Sequence, residues 1–198
     1  MEAYAGPEDR ASHSRFGPAG RSAPMFGPPG HAYVYRVYGM YACLNVVVGP
    51  PDSPSAVLIR AVEPLEGVDA MRSARLEHEL HRRRSTRPPG AEPTAISVAM
   101  DRVGHIPIER LASGPGLVAA AFSVEVEATG LDLCDPRSVL HLEPGPPAWA
   151  AEAVEATPRI GIDYAGEPWT SVPWRLFVRD AAAVSGQRGL RGLRMQLP

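Results

Sequence analysis

A carboxylate, a histidine, an arginine and a dense group of tyrosines hold the chemistry of this sequence. Four of its six tyrosines fall within nine residues of the stretch HAYVYRVYGMYACLN, at Tyr33, Tyr35, Tyr38 and Tyr41. Tyr4 lies in EAYAGPEDRASHSR, beside Glu2 and ahead of His13. Each tyrosine offers a flat ring for stacking and a hydroxyl that needs a partner when buried. Such rings next to a lone carboxylate and a histidine would grip a flat heterocycle, with Glu2 suited to general-base work on a water. Plainer readings stand beside that one. Strands are rich in aromatic residues for packing alone, and a residue at position two ordinarily frays.

Three further residues share this ambiguity. Arg60 lies among apolar residues in AVLIRAV, so it is either half-buried and paired with a carboxylate or exposed at a sheet edge. His13, between two serines, is a pocket residue or a loop histidine. Asn45 on an apolar strand needs hydrogen-bond partners, for a structural or a functional end. Gly114 in SGPG would open a helix whose N–H groups meet a phosphate, a weak signal alone. Metal-ligand spacing, a P-loop, a dinucleotide fingerprint and a nucleophile elbow are all missing from the sequence. No cofactor is expected.

The elements that must position these groups follow from periodicity and punctuation. The first thirty residues are dense in Gly and Pro and read as an ordered loop. His31 to Val48 alternates like a β-hairpin turning at Gly39, with Tyr33, Tyr35 and Val37 on one face. Its tip, Tyr38-Gly39-Met40, projects a tyrosine and a methionine. Gly49-Pro50-Pro51-Asp52 ends the hairpin, and Ala56–Val62 is a short strand. Leu65–Arg84 has the spacing of an amphipathic helix, with Leu65, Val68, Met71, Leu76 and Leu80 on one face, stopping at RPPG. Pro93–Val103 forms a second helix with Thr94 as its cap. A third runs to Phe122 with Ser113 as N-cap and Pro115 in the first turn. SVEVEATG, VLHLE, RIGIDYAG and RLFVRD read as short strands. The whole is expected to be one α+β domain.

Composition bounds the function. The 198 residues carry a net charge of −2, which taken alone argues against a nucleic-acid partner. Nine acids between Phe122 and Trp169 face only Arg137 and Arg159, whereas five arginines from Arg175 to Arg194 face only Asp180. With HRRRSTR at 81–87, this segregation is compatible with phosphate contacts or with solvated helix ends and tails. All twenty basic residues are arginine. A Schiff base to an opened sugar therefore has no lysine, and only the α-amino group of Met1 remains for it. Cys43 and Cys134 make no disulfide framework. The polar start MEAYAGPEDR lacks the apolar core of a signal peptide, and no run is long enough to span a membrane, so a bacterial-type cytosolic location is expected.

Together, EAYAGPEDRASHSR, MFGPPGHAYVYRVYGMYACLN, AVLIRAVEPLEG, SGPG and PRIGIDYAGEPW closely resemble, in order, the 3-methyladenine (alkyladenine) DNA glycosylase family. The resemblance implies a mixed α/β domain with a curved, mainly antiparallel sheet and a projecting hairpin, flanked by helices. It implies that Glu2 deprotonates the attacking water and that Arg60 helps to hold that water. The flipped base would stack among Tyr4, His13 and Tyr35, and Asn45 would crowd the amino group of normal guanine. Tyr38 would enter the duplex where the base has left, with Met40 against neighbouring base pairs and Tyr33 and Tyr41 supporting the hairpin. The implied partner is double-stranded DNA holding a damaged purine, bound by a monomer.

Departures from the family pattern carry expectations of their own. Family members have a segment before the EAY motif, whereas here Met1 directly precedes Glu2. Either the start has been placed too late or the chain is a shortened form that binds lesions without turnover. GLVAAAF lacks the polar and basic residues usual after SGPG, and the stretch from His78 to Glu109 is longer than is typical. A small-molecule purine-binding domain is a third reading, one that leaves the hairpin tip without a purpose.

Overall fold

The computed structural model describes residues 1–50, 53–86, 92–145 and 153–184. Its frame is a six-stranded open sheet of β1 (Glu2–Ala5), β2 (Ala32–Val37), β3 (Tyr41–Val48), β4 (Ser55–Leu58), β5 (Val154–Thr157) and β6 (Arg175–Val178). The spatial order is β2-β3-β4-β1-β6-β5. Every pairing is antiparallel. Among the described residues three α-helices accompany it: α1 (Val68–Thr86), α2 (Glu92–Gly104) and α3 (Pro115–Ala121). The α+β class expected from the sequence is the class found.

Alternation along the strands sorts the side chains into two layers. Ala32, Val34, Ala42, Leu44 and Val46 face one way and pack with Ala119, Val124 and Leu133. Tyr33, Val47 and Ala56 face the other way and pack with Met25 and with the half-buried Tyr35. A hairpin that places aromatic residues on one face and small aliphatic ones on the other thereby assigns one face to the core and one to the site.

Several expected elements differ. The first thirty residues are not a plain loop, because Glu2–Ala5 is a strand lying between β4 and β6. The ladder reaches the first residue: Leu176 N–H donates to Met1 O at 3.0 Å, and Ala3 N–H donates to Trp174 O at 2.8 Å. Position two is thus held, not frayed. Two 3₁₀ turns follow, His13–Phe16 and Gly20–Phe26, the first capped by Ser12 Oγ accepting from Ser14 N–H. β4 stops at Leu58, so Arg60 lies past its end and not in mid-strand. The first helix begins at Val68, which leaves Leu65 outside it and 90% exposed. Thr94 falls inside α2 and not at its start. Gly114, not Ser113, is the N-cap of α3, in a conformation (φ 138°) that favours glycine.

Of the four short strands expected late in the chain, only RLFVRD supplies one, β6, while β5 was not anticipated. SVEVEATG contains a 3₁₀ turn at Val126–Ala128 instead. The turn at Pro51-Asp52, the helix stop at RPPG and the arginines at 188, 191 and 194 lie outside the described residues. Among the described residues no helix is long and apolar enough to cross a membrane.

Candidate active site

At the level of Glu2 one residue from each strand forms a row across the sheet: Tyr33, Asn45, Leu58, Glu2, Arg175 and Thr157. Directly opposed residues of antiparallel strands project to the same face. The pairing register alone therefore brings Tyr33, Asn45 and Glu2 to one surface, and Tyr4, two residues on from Glu2, joins them. This is why sequence-distant residues meet here.

The Glu2 side chain has no solvent exposure and is fully engaged. Its Oε1 accepts from the Ile160 N–H at 2.9 Å. Its Oε2 accepts from the Tyr4 hydroxyl at 2.9 Å and from Arg60 Nη1 at 3.1 Å. Arg60 is thereby half-buried and paired, the first of the two alternatives its sequence context allowed. Burial and then the Glu2 charge push the Tyr4 hydroxyl well above the ordinary phenol range, so it remains a neutral donor to the carboxylate. Charge-assisted bonds of this kind fix a carboxylate's direction as well as its depth.

Beside this group stand the rings. His13 meets Tyr35 edge-on at 4.6 Å and 73°, and Tyr35 lies 5.5 Å from Tyr33. A 2.7 Å hydrogen bond joins His13 Nδ1 to the Tyr33 hydroxyl. Burial, with Arg21 and Arg15 nearby, pushes the His13 imidazole down to about 4, so it is uncharged at neutral pH. Burial raises Tyr33 to about 12 and holds Tyr35 higher than usual too. Asn45 is 3% exposed and its amide donates to Tyr33 O at 3.0 Å and to Cys43 O at 3.2 Å. Tyr4, His13, Tyr33, Tyr35, Asn45 and Met25 line a cavity of about 20 Å³. That is room for about one water.

Six of the residues singled out in the sequence thus converge: Glu2, Tyr4, His13, Tyr35, Asn45 and Arg60. The other two stand apart on the hairpin tip, where Tyr38 is 87% and Met40 38% exposed. The tip is a turn in which Met40 N–H donates to Val37 O at 3.2 Å. Tyr38 (φ 53°) and Gly39 (φ 68°) both have positive φ, the geometry of hairpin turns that match strand twist. Among the described residues no group of three or more His, Cys, Asp or Glu side chains is arranged to hold a metal ion.

Sequence reasoning passed over an ion pair beneath the site. Asp9 is fully buried, and both its oxygens accept from Arg159, at 2.5 and 3.0 Å. The guanidinium lies 4.7 Å from the Tyr4 ring centre and 5.0 Å from that of Trp174. Arg159 also donates to Ala3 O at 2.9 Å, so it braces β1 from below while Ile160 binds Glu2. In the sequence Asp9 follows Gly-Pro, where an acid ordinarily belongs to a turn. The available signal was Arg159 itself, one of two arginines amid nine acids.

Comparisons with known proteins give the family. Residues 1–182 match the family model described as methylpurine-DNA glycosylase. A protein of Methanocella arvoryzae is 39% identical over 184 residues, covering 93% of this chain and 76% of that one. One from Anaeromyxobacter dehalogenans strain 2CP-C is 42% identical over 185 residues, covering 93% and 68%. One from Bacillus cereus strain G9842 is 37% identical over 189 residues, covering 93% and 80%. Each of the three is named as a candidate 3-methyladenine DNA glycosylase. With a family model spanning nearly the whole chain and such relatives, the chain belongs to the methylpurine-DNA glycosylase family.

Proposed function

We propose that this protein is a monofunctional DNA glycosylase: it flips alkylated or deaminated purines of the 3-methyladenine type out of duplex DNA and hydrolyses their N-glycosidic bond. The observation that carries this reading is the buried Glu2 carboxylate, held by Tyr4, Arg60 and the Ile160 N–H beside a cavity walled by Tyr4, His13 and Tyr35.

A base inside a duplex cannot be attacked in place, and extruding it costs a few kcal/mol. Stacking on aromatic side chains returns about 1–3 kcal/mol per base, and Tyr38 fills the gap in the helix so that the stack does not close again. The cavity must widen to admit a purine. Met25, unbranched and adaptable, forms one wall and can yield to it. A 3-methylated adenine is cationic, and tyrosine faces attract a cation. His13, held neutral by burial, adds no repulsion. As the glycosidic bond breaks, its electron pair leaves with the base and the sugar gains oxocarbenium character. Glu2 faces that charge and takes the proton of the water that bonds to the sugar carbon. Arg60 keeps the carboxylate oriented. With no lysine in the chain and the Met1 α-amino group donating to Leu176 O at 2.8 Å, the product is an abasic site, left uncut.

Incubating the full chain with duplex DNA containing 3-methyladenine or hypoxanthine, with Glu2→Gln alongside, tests the reading. Free base released by the native chain and lost in the variant supports it. Tight lesion binding without release would make the protein a lesion-binding module instead.

A further inference from the structure

The hairpin tip overhangs open space. A cleft of about 300 Å³ separates it from α1 and α3, with Met40 and Arg36 on one side and Glu77, His78 and Arg82 on the other. A three-residue overhang of this kind has few ways to keep its direction. The Arg36–Glu125 ion pair near the tip is more than half exposed on both sides, and exposed pairs of this kind contribute little. Two other contacts cross to the helices. His78 Nε2 on α1 lies 3.0 Å from Met40 O, and the same imidazole stacks on Tyr41 at 5.3 Å and 30°. The Tyr41 ring in turn lies so close over α3 that a methyl group on Gly116 would approach it to 2.8 Å.

We infer that His78 is a positioning residue for Tyr38: by donating to Met40 O and stacking on Tyr41 it clamps both ends of the turn's last residue pair to α1, fixing the direction in which Tyr38 meets a duplex. The inference rests on the wedge role proposed above for Tyr38. Tyr38 has a positive φ and is 87% exposed, so nothing in its own packing holds it there. The direction of the wedge must come from Met40 and Tyr41, and the His78 side chain touches both. His78 touches neither the Glu2 network nor the aromatic cavity. Its effect therefore belongs to base extrusion and not to bond cleavage.

Fluorescence of 2-aminopurine placed beside hypoxanthine in duplex DNA reports extrusion before any bond breaks. The full native chain is compared with His78→Ala, His78→Phe, Tyr38→Ala and the double variant Tyr38→Ala/His78→Ala, with thermal unfolding as the folding control. His78→Ala is expected to lower the flipping equilibrium about tenfold, the worth of one hydrogen bond plus one ring contact. His78→Phe, which keeps a ring but loses the donor, is expected to lose about threefold, and it decides the question if the alanine variant fails to fold. The double variant should flip no worse than Tyr38→Ala. A His78 variant that flips as well as the native chain while Tyr38→Ala does not would overturn the clamp and leave the wedge standing. So would a double-variant loss equal to the product of the single losses. Undiminished flipping by Tyr38→Ala would remove the wedge and the clamp together.

Discussion

Glu2 and Asn45 stand in one row of the sheet with only Leu58 between them, on the same face and across three consecutive strands. That register places the carboxylate and the amide on one face; under the proposed function the first acts on the sugar and the second judges the base edge. Asn45 is fixed by its bonds to Tyr33 O and Cys43 O. Replacing it by Ser removes bulk from the base side and should raise release of normal guanine relative to hypoxanthine. The same change leaves buried carbonyls short of a donor and should lower stability by about 1–2 kcal/mol. Competition assays on guanine- and hypoxanthine-containing duplexes, with urea unfolding, check both parts.

Asp9 and Arg159 form a pair whose side chains are both fully buried. Removing one partner strands a charge in the interior, and Arg159→Ala is expected to cost about 3–5 kcal/mol. Replacing both by apolar residues of similar volume should recover much of that loss, because the second charge no longer lacks a partner. Urea unfolding of the single and double variants measures it. Glycosylase activity should stay low in the double variant, because the Tyr4 ring has lost the guanidinium beneath it.

The His13 imidazole gives the fold a pH dependence of known sign. Its pKa is pushed from 6.5 to about 4 by burial first, then by Arg21 and Arg15. The unfolded chain therefore binds more protons than the folded one between those values. The contribution of neutral His13 is present above pH 6.5 and is lost as pH falls toward 4. Thermal unfolding followed from pH 7 to pH 4 should show a fall in midpoint that is smaller in His13→Gln. An equal fall in both would assign the acid sensitivity elsewhere.

A methyl group on Gly116 would strike the Tyr41 ring at 2.8 Å. Gly116→Ala should therefore destabilise by about 1–3 kcal/mol through overpacking. It should also weaken binding to lesion-containing duplex, because the ring supports the hairpin end. Calorimetric unfolding and fluorescence anisotropy on labelled duplex distinguish the two effects.

Much of the frame was legible because its signals are local. Alternating tyrosines and a turn glycine mark β2 and β3 without outside help, and α1 follows from its apolar spacing. Apart from helix ends, the failures involve partners distant in sequence. SVEVEATG alternates like a strand, yet the edge of β2 is covered by Thr129, whose hydroxyl donates to Val34 O and accepts from Val34 N–H. Leu131 O and Gly130 N–H bond Ala32 in the same way, so side chain and loop occupy the edge that a strand would fill. β5 was missed for the opposite reason: the alternation of VEAT spans only four residues, and it is the pairing with β6 that makes it a strand. The site residues came from motif resemblance, but the Asp9–Arg159 brace had no local pattern to reveal it.

Single-turnover release of hypoxanthine or 3-methyladenine from a defined duplex, measured for the full chain and for Glu2→Gln, tests the central claim most directly. Loss of a positioned general base costs about 10²–10⁴-fold in rate, so Glu2→Gln should fall by that order while still binding lesion DNA close to the native level. Release by Glu2→Gln at the native rate, or no release by the native chain under saturating conditions, would contradict the account.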